Sequence, residues 1–309
     1  MNSTKAFAPA TIANFNVGYD VLGLSLNGIG DEVELTINGT EENRIIHIKN
    51  GAELPMESEK NCCSVVIRAM QENLGEFRGV DISILKGFDS GSGLGSSSAS
   101  SAAAAFGYNS LVGNPFGKKE LIVFAAEGER IACGSAHIDN VAPSILGGFV
   151  LANSNDPNNI IELPIIDNLF AVTLFPKIKI NTSDSRKILK KNIPLETVSR
   201  QIGLMGAFIS SLYDNNLERF SYSMQDLIIE PMRSLLIPQF NEMKAASLKH
   251  NALAFGISGS GPSVFAITEG IENTNQVLMA LKEVCDAANL ETQTYTNALI
   301  KNSGARLIK

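Results

Sequence analysis

The sequence has no surplus of positive charge. Its 25 Lys and Arg are outnumbered by 32 Asp and Glu, giving a formal net charge of -7 and a pI near 5.1. Without a basic field to collect phosphate backbones, a nucleic acid or an anionic membrane is excluded as partner, and any bound anion must be gripped locally. Long apolar runs are missing too. Nothing approaches the roughly 20 apolar residues that cross a bilayer, and Met1 to Pro9 lacks the basic segment and apolar stretch of a leader. Cysteine is scarce: Cys62, Cys63, Cys133 and Cys285 show no paired metal-ligand spacing, and neighbours such as Cys62 and Cys63 rarely bridge each other. They read as buried thiols in a reduced compartment. These absences point to a soluble cytoplasmic protein.

What is present is enough apolar residue for more than one core. At 309 residues, 44% hydrophobic, the chain is long for a single domain. Val33 to Thr40 and Val80 to Lys86 alternate apolar and polar residues, as half-buried strands do. The Ala- and Ser-rich segment Ser96 to Val112 suits a closely packed helix, and a second helix is predicted over Lys118 to Cys133. A short strand over Phe149 to Ala152 precedes the polar stretch 153–159, whose Asn, Asp and Pro have the chemistry of an exposed loop. The domain boundary is expected there, dividing the chain into 1–155 and 156–309. Beyond it come a strand (Leu169 to Phe175), helices (Glu196 to Tyr213, Pro238 to Asn251), strands (Leu253 to Ser258, Ser263 to Thr268), a helix (Asn275 to Asn289) and a strand (Glu291 to Thr296). That order fits an α+β fold, with a split β-α-β layer whose helices cover one face of an antiparallel sheet.

The chemistry concentrates in Gly91-Ser92-Gly93-Leu94-Gly95-Ser96-Ser97-Ser98. Three glycines in five positions let a backbone curl around an anion, and the helix predicted to follow points its free N–H groups and positive dipole end at the same spot. The spacing is neither that of a P-loop nor a dinucleotide fingerprint, and no lysine lies inside the loop. A bare flexible turn is the alternative. A loop without its own lysine leaves the charge of a nucleotide to a divalent cation and to side chains from elsewhere, for which Glu129 is the candidate, with a solvated helix face as its plainer explanation. A second run, Ser258-Gly259-Ser260-Gly261-Pro262, joins two predicted strands and is either a hairpin turn or a second place where backbone meets ligand. Asn14, Asn16 and Asp20 crowd a segment too polar at its centre for a plain strand. Arg186 and Arg233 offer guanidinium forks that match carboxylates and phosphates, although a lone surface arginine is the commoner case.

Three motifs in order, Ala8-Pro9-Ala10-Thr11 through Asn14 to Gly23, Gly93-Leu94-Gly95-Ser96-Ser97-Ser98-Ala99, and Ile257-Ser258-Gly259-Ser260-Gly261-Pro262, resemble the GHMP small-molecule kinases, named for galactokinase, homoserine kinase, mevalonate kinase and phosphomevalonate kinase. Within that family, the strings 14–23, 137–143 and 229–233 are similar to the branch acting on homoserine. The resemblance implies a two-domain α+β fold, with an N-terminal domain like the second domain of ribosomal protein S5, a ferredoxin-like C-terminal domain, and the site in the cleft between them. It implies ATP as phosphoryl donor, Mg²⁺ held by Ser97 and Glu129, and L-homoserine as acceptor, giving O-phospho-L-homoserine for threonine synthesis. Gly91 to Ser98 would wrap the phosphates, with Asn61 near the adenosine. Asn14, Asp20, Asn140, Arg186, Arg233 and Gly259 would bind the amino acid, with His137 beside them. Asn140, Arg186, Glu129 and His137 would serve catalysis, largely by positioning and charge stabilisation without a dedicated strong base, with Asp139 as the alternative proton acceptor if it faces the cleft. The family also implies a homodimer. One departure stands out: many relatives carry proline where this chain has Asp89.

Two other readings fit the same sequence. Another hydroxylated metabolite, such as mevalonate, shikimate or a sugar, would need no partner for an ammonium group, whereas Asp20 together with two arginines suits a zwitterion. A non-catalytic nucleotide-binding protein on the same fold would not need Ser97 and Glu129.

Overall fold

The computed structural model describes residues 2–51, 53–136, 138–153, 156–180, 182–301 and 304–309. The chain runs β1 (Ser3–Ala13), β2 (Leu22–Ile37), β3 (Arg44–Lys49), α1 (Cys62–Leu74), β4 (Val80–Leu85), α2 (Ser96–Leu111), α3 (Lys118–Cys133), α4 (Ile138–Leu146), β5 (Phe149–Asn153) and β6 (Asp156–Leu163). It continues with β7 (Leu169–Pro176), α5 (Thr182–Lys187), α6 (Leu195–Asp214), α7 (Leu217–Ser223), α8 (Glu230–Arg233), a single 3₁₀ turn, α9 (Phe240–Lys249), β8 (Ala252–Ile257), β9 (Val264–Glu269), α10 (Gly270–Ala287), β10 (Thr292–Ala298) and β11 (Arg306–Leu307).

Two sheets result. The first has the order β11-β1-β2-β4-β3, with β5 pairing β2 and β6; it is mixed, because β3 and β4 run parallel. The second is antiparallel, β10-β7-β9-β8, the order of a split β-α-β layer. The division expected at 155/156 falls between two paired strands: β6 completes a hairpin with β5, so the first sheet runs on to Leu163 and also takes back the last strand of the chain.

Helix α2 explains how the first sheet is covered. Ala99 and Ala102 to Ala105 are fully buried, and their small side chains let the helix lie close beneath β1 and β2 while α1 and α3 pack on either side. Gly107 shares this close approach, since a Cβ there would already touch Ala6 at 3.3 Å. Each neighbouring helix has its own stop and start. Asn61 caps α1 by accepting the Cys63 N–H, and α1 ends on Gly75 at φ 69°. Glu120 reaches back to the Gly117 N–H at 2.8 Å to open α3.

The second sheet is buried on both faces, not on one as expected. Val172 and Leu174 of β7 face α9 and α10, joined by Phe255, Met243 and Leu281. The alternate residues, Leu169 and Ala171, face a core that mixes both halves of the chain. Its centre is Phe15, whose ring meets Phe149 at 4.6 Å and Phe265 at 5.0 Å between centroids, with Phe208 and Phe220 completing the cluster. Burying each such ring is worth about 1.5–3 kcal/mol. Among the described residues, no helix is long and apolar enough to cross a membrane.

Candidate active site

β1 ends in a turn whose residues Asn14, Phe15 and Asn16 all have positive φ (68°, 42° and 57°), an arrangement asparagine tolerates better than most residues. The turn drives Phe15 into the core and fixes both asparagines by hydrogen bonds. Asn14 Nδ2 donates to the Gly259 carbonyl at 2.9 Å, and Asn14 Oδ1 accepts the Asp20 N–H at 3.0 Å. Asn16 Nδ2 donates to the carbonyls of Met224 and Phe255. Asn16 is thus a buried strut, whereas Asn14 and Asp20 are brought to the edge of a cavity.

That cavity has a volume of about 630 Å³. It gathers Asn14, Asp20, Asn61, Gly91, Gly93, Gly95, Ser96, Ser97, Glu129, Asn140, Arg186, Arg233 and Gly259, candidates that come from well-separated parts of the sequence. Three others of the glycine-serine run do not line it. Leu94 sits in the mixed core, and Ser92 and Ser98 are buried. His137 lies outside the described residues. Asn61 lines the wall and is held there at both ends of its amide, accepting the Cys63 N–H and donating to the Pro55 carbonyl at 2.8 Å.

The two glycine runs meet each other. Ser263 N–H donates to the Ser92 carbonyl at 3.0 Å, and Ser258 Oγ donates to the Gly93 carbonyl at 2.8 Å. A Cβ on Gly93 would stand 2.7 Å from the Gly261 oxygen and 2.8 Å from that of Ser258. Gly93 is therefore required by the second turn. Gly95 is required by the other wall, because a Cβ there would collide with the Thr11 hydroxyl and come within 2.9 Å of Asn140 Oδ1. Only Gly91 of the three opens onto free space, at φ 75°. Asp89, just before the loop, is exposed, so its charge is screened by solvent.

Helix α2 begins at Ser96 without a side-chain cap, leaving its N-terminal N–H groups facing the cavity mouth of the loop. Opposite stands Glu129, on α3 and 2% exposed. Burial pushes its carboxyl above the usual range, while the nearby Ser97 and Ser98 hydroxyls and the Lys86 charge pull it back. Even so, Glu129 Oε1 and Ser98 Oγ have no hydrogen bond of good geometry. A buried carboxylate oxygen without a donor fits a cation better than it fits a packed core.

At the far end of the cavity Arg186 Nη2 binds Asp20 at 3.0 Å. Arg233 is buried, donates to the carbonyls of Gly259 at 2.8 Å and Ser185 at 3.4 Å, and lies 5.3 Å over the Tyr19 ring. Asp226 supports it from below, accepting the N–H groups of Ile228, Ile229 and Glu230 where α8 starts. Between the two ends lie Asp139 and Asn140, in the first turn of α4. Asn140 Oδ1 accepts the Thr11 hydroxyl at 2.7 Å. Asp139 is 3% exposed; burial, then the charges of Asp20 and Glu129, raise its carboxyl to about 7.

Sequence reasoning had left Asp139 as an open alternative and had not singled out Thr11, Tyr19, Asp31 or Lys86 as site residues. Thr11 was within a quoted motif; Asp31 and Lys86 gave no signal, since single polar residues in strands read as outward-facing.

A glycine loop at a helix N-terminus, the buried Glu129 carboxyl facing it and a charged end built from Asp20, Arg186 and Arg233, set between a mixed sheet and a split β-α-β sheet, define a small-molecule phosphotransferase. The comparisons agree: residues 61–148 match the GHMP kinases N terminal domain and 208–287 the GHMP kinases C terminal domain. Homoserine kinases from two strains of Chlorobium phaeobacteroides are 37% and 40% identical over the full length of both chains. The crystal structure of homoserine kinase from Cytophaga hutchinsonii superposes with a TM-score of 0.96 at 42% identity, covering 100% of this chain and 98% of that one. The chain belongs to the homoserine kinase family of the GHMP kinases.

Proposed function

We propose that the protein transfers the terminal phosphoryl group of ATP to the side-chain hydroxyl of L-homoserine, giving ADP and O-phospho-L-homoserine. The observation that carries this reading is the joint presence, in one cavity, of the glycine-serine loop at one end and of Asp20, Arg186 and Arg233 at the other. Homoserine is a zwitterion: Asp20 suits its ammonium and the arginines its carboxylate. Mevalonate, shikimate and sugars have no ammonium to satisfy Asp20. The ATP-consuming step belongs in the cytoplasm.

The orphaned Glu129 Oε1 and the hydroxyl of Ser97 would hold Mg²⁺, which when bound supplies charge neutralisation at the phosphate oxygens. One carboxylate suffices for such an ion, because Mg²⁺ keeps waters and phosphate oxygens as its other ligands.

The remaining chemistry falls to the chain. Free N–H groups at the start of α2 and the loop backbone bind the phosphates. Asn140 Oδ1 accepts the Thr11 hydroxyl, which holds the amide in place so that its N–H groups can orient the acceptor hydroxyl. As that oxygen attacks the terminal phosphorus and ADP departs, its proton passes to Asp139, whose carboxyl near 7 is matched to the task at neutral pH. A loose transition state asks for the proton late, so Asp139 adds to positioning without replacing it. An ADP-release assay across homoserine, mevalonate, shikimate and galactose tests the reading. Turnover with homoserine is expected, and turnover with mevalonate but none with homoserine would overturn it.

A further inference from the structure

A lysine ammonium has three donors and no acceptor, and at Lys86 each donor is taken. Nζ donates to the Ser96 carbonyl and to Ser100 Oγ, both at 2.9 Å, and is ion-paired with Asp31 Oδ2. Ser100 Oγ donates in turn to the same Asp31 oxygen at 2.6 Å, and Asp31 Oδ1 accepts the Gly87 N–H at 3.1 Å. The side chains of Lys86 and Asp31 are 2% and 0% exposed. Lys86 and Ser100 nevertheless belong to the wall of the nucleotide cavity.

We propose that Lys86, locked between Asp31 and Ser100, is a positioning residue for phosphoryl transfer and not a phosphate ligand. The loop has no lysine of its own, and Lys86 is the cation beneath it, which invites the opposite assignment. Donor accounting decides against it: to reach a phosphate, Nζ would have to abandon a buried carboxylate or a helix carbonyl, and a network satisfied at every atom does not give up a member cheaply. What the ammonium does instead is bridge one helical turn. Ser96 and Ser100 are the first and fifth residues of α2, and Ser97, which faces Glu129, lies between them. Bonding both ends of that turn to a charge anchored on β2 fixes where Ser97 and the free N–H groups sit. A buried ion pair is seldom worth more to stability than an apolar pair of the same volume. The gain here is placement of the turn.

The inference rests on the phosphotransfer reading, and the test separates the two. Lys86→Met, the double variant Asp31→Asn with Lys86→Met, and Ser100→Ala are compared with wild type for ADP release, ADP binding by calorimetry and thermal melting. The double variant keeps a neutral pair and the acceptor for Gly87. It is expected to melt close to wild type, to bind ADP within about three-fold, and to lose about 100-fold in kcat, the cost of a misplaced reacting group. Full kcat in the folded double variant, or ADP affinity falling as far as kcat, overturns the proposal. Should Lys86→Met fail to fold, Ser100→Ala decides: kcat lower by about three- to ten-fold supports the bridge, since one of its donor-acceptor links of ~1 kcal/mol is gone, and unchanged kcat overturns it. A wild type that releases no ADP with homoserine overturns the functional reading and the inference together, whereas an active wild type beside an equally active Lys86→Met overturns the inference alone.

Discussion

Arg186 Nη2 donates to both carboxylate oxygens of Asp20, at 3.0 and 3.2 Å, joining residues 166 positions apart in sequence. Each partner is only about one-third exposed, so the pair closes the amino-acid end of the cavity on itself. A zwitterion supplies both charges this pair needs. It can insert between them, replacing one ion pair by two.

Asp20→Asn should therefore weaken the amino-acid substrate and spare the nucleotide. A lost charge-assisted hydrogen bond of about 1.5–3 kcal/mol corresponds to a KM for homoserine raised about 10- to 100-fold. Steady-state kinetics with each substrate varied in turn checks this, and an equal rise in the KM for ATP would count against the assignment.

Glu129→Gln separates catalysis from folding. The buried carboxyl is held above its ordinary range by desolvation, so a neutral isostere should not lower the melting temperature at neutral pH. Turnover should drop by about 100-fold or more, and added Mg²⁺ should not restore it. Unchanged kcat at saturating Mg²⁺ would contradict the metal role.

Asp139 makes the fold itself sensitive to pH. Its carboxyl rises from 3.8 to about 7 on folding, so the native state holds this proton more tightly than the unfolded chain. Below about pH 4 both states keep the proton and there is no penalty; stability then falls as pH rises, levelling off above about 7. At ~1.4 kcal/mol per pH unit the full effect is at most about 4 kcal/mol. Asp139→Asn should thus melt higher than wild type at pH 8 and alike at pH 4, while kcat falls by about 100-fold or more and loses its ionisation near 7. A variant that retains wild-type kcat at pH 8 would remove Asp139 from proton transfer.

Two glycines of one loop should respond differently to alanine. Gly91→Ala meets open space and bears only the strain of its positive φ, about 1–2 kcal/mol. Gly93→Ala adds a collision with two carbonyl oxygens of the second turn and should melt well below Gly91→Ala. Equal melting temperatures would show that the two turns are not held together there.

Much of this was legible in the sequence, and the failures have physical reasons. Helix α3 spans Lys118–Cys133 as its periodicity predicts, and the alternating stretches 33–40 and 80–86 supply β2 and β4 of the first sheet. Strand β1 was hidden because it is buried almost throughout and so lacks alternation, and the polar turn behind it drew attention away. Strand β6 was read as part of a loop, since Pro157, Asn158 and Asn159 are turn formers; pairing with β5 overrode local propensity. Most of the candidate residues named from the sequence lie within compact motifs, with Asn61, Glu129 and Arg186 outside them. Lys86 and Asp31 were missed because 55 residues separate them and only the register of β2 with β4 makes them neighbours.

The bonds between the two glycine turns have a consequence for how the molecule comes apart. Ser263 to Ser92, Ser258 to Gly93 and Gly259 to Ala13 stitch the halves together at the catalytic loop, the phenylalanine cluster fills the space behind them, and β11 clasps β1. Such a molecule has a seam where a hinged enzyme would have a joint. Heated, it should melt in one transition, and neither half expressed by itself should keep the shape it has in the whole.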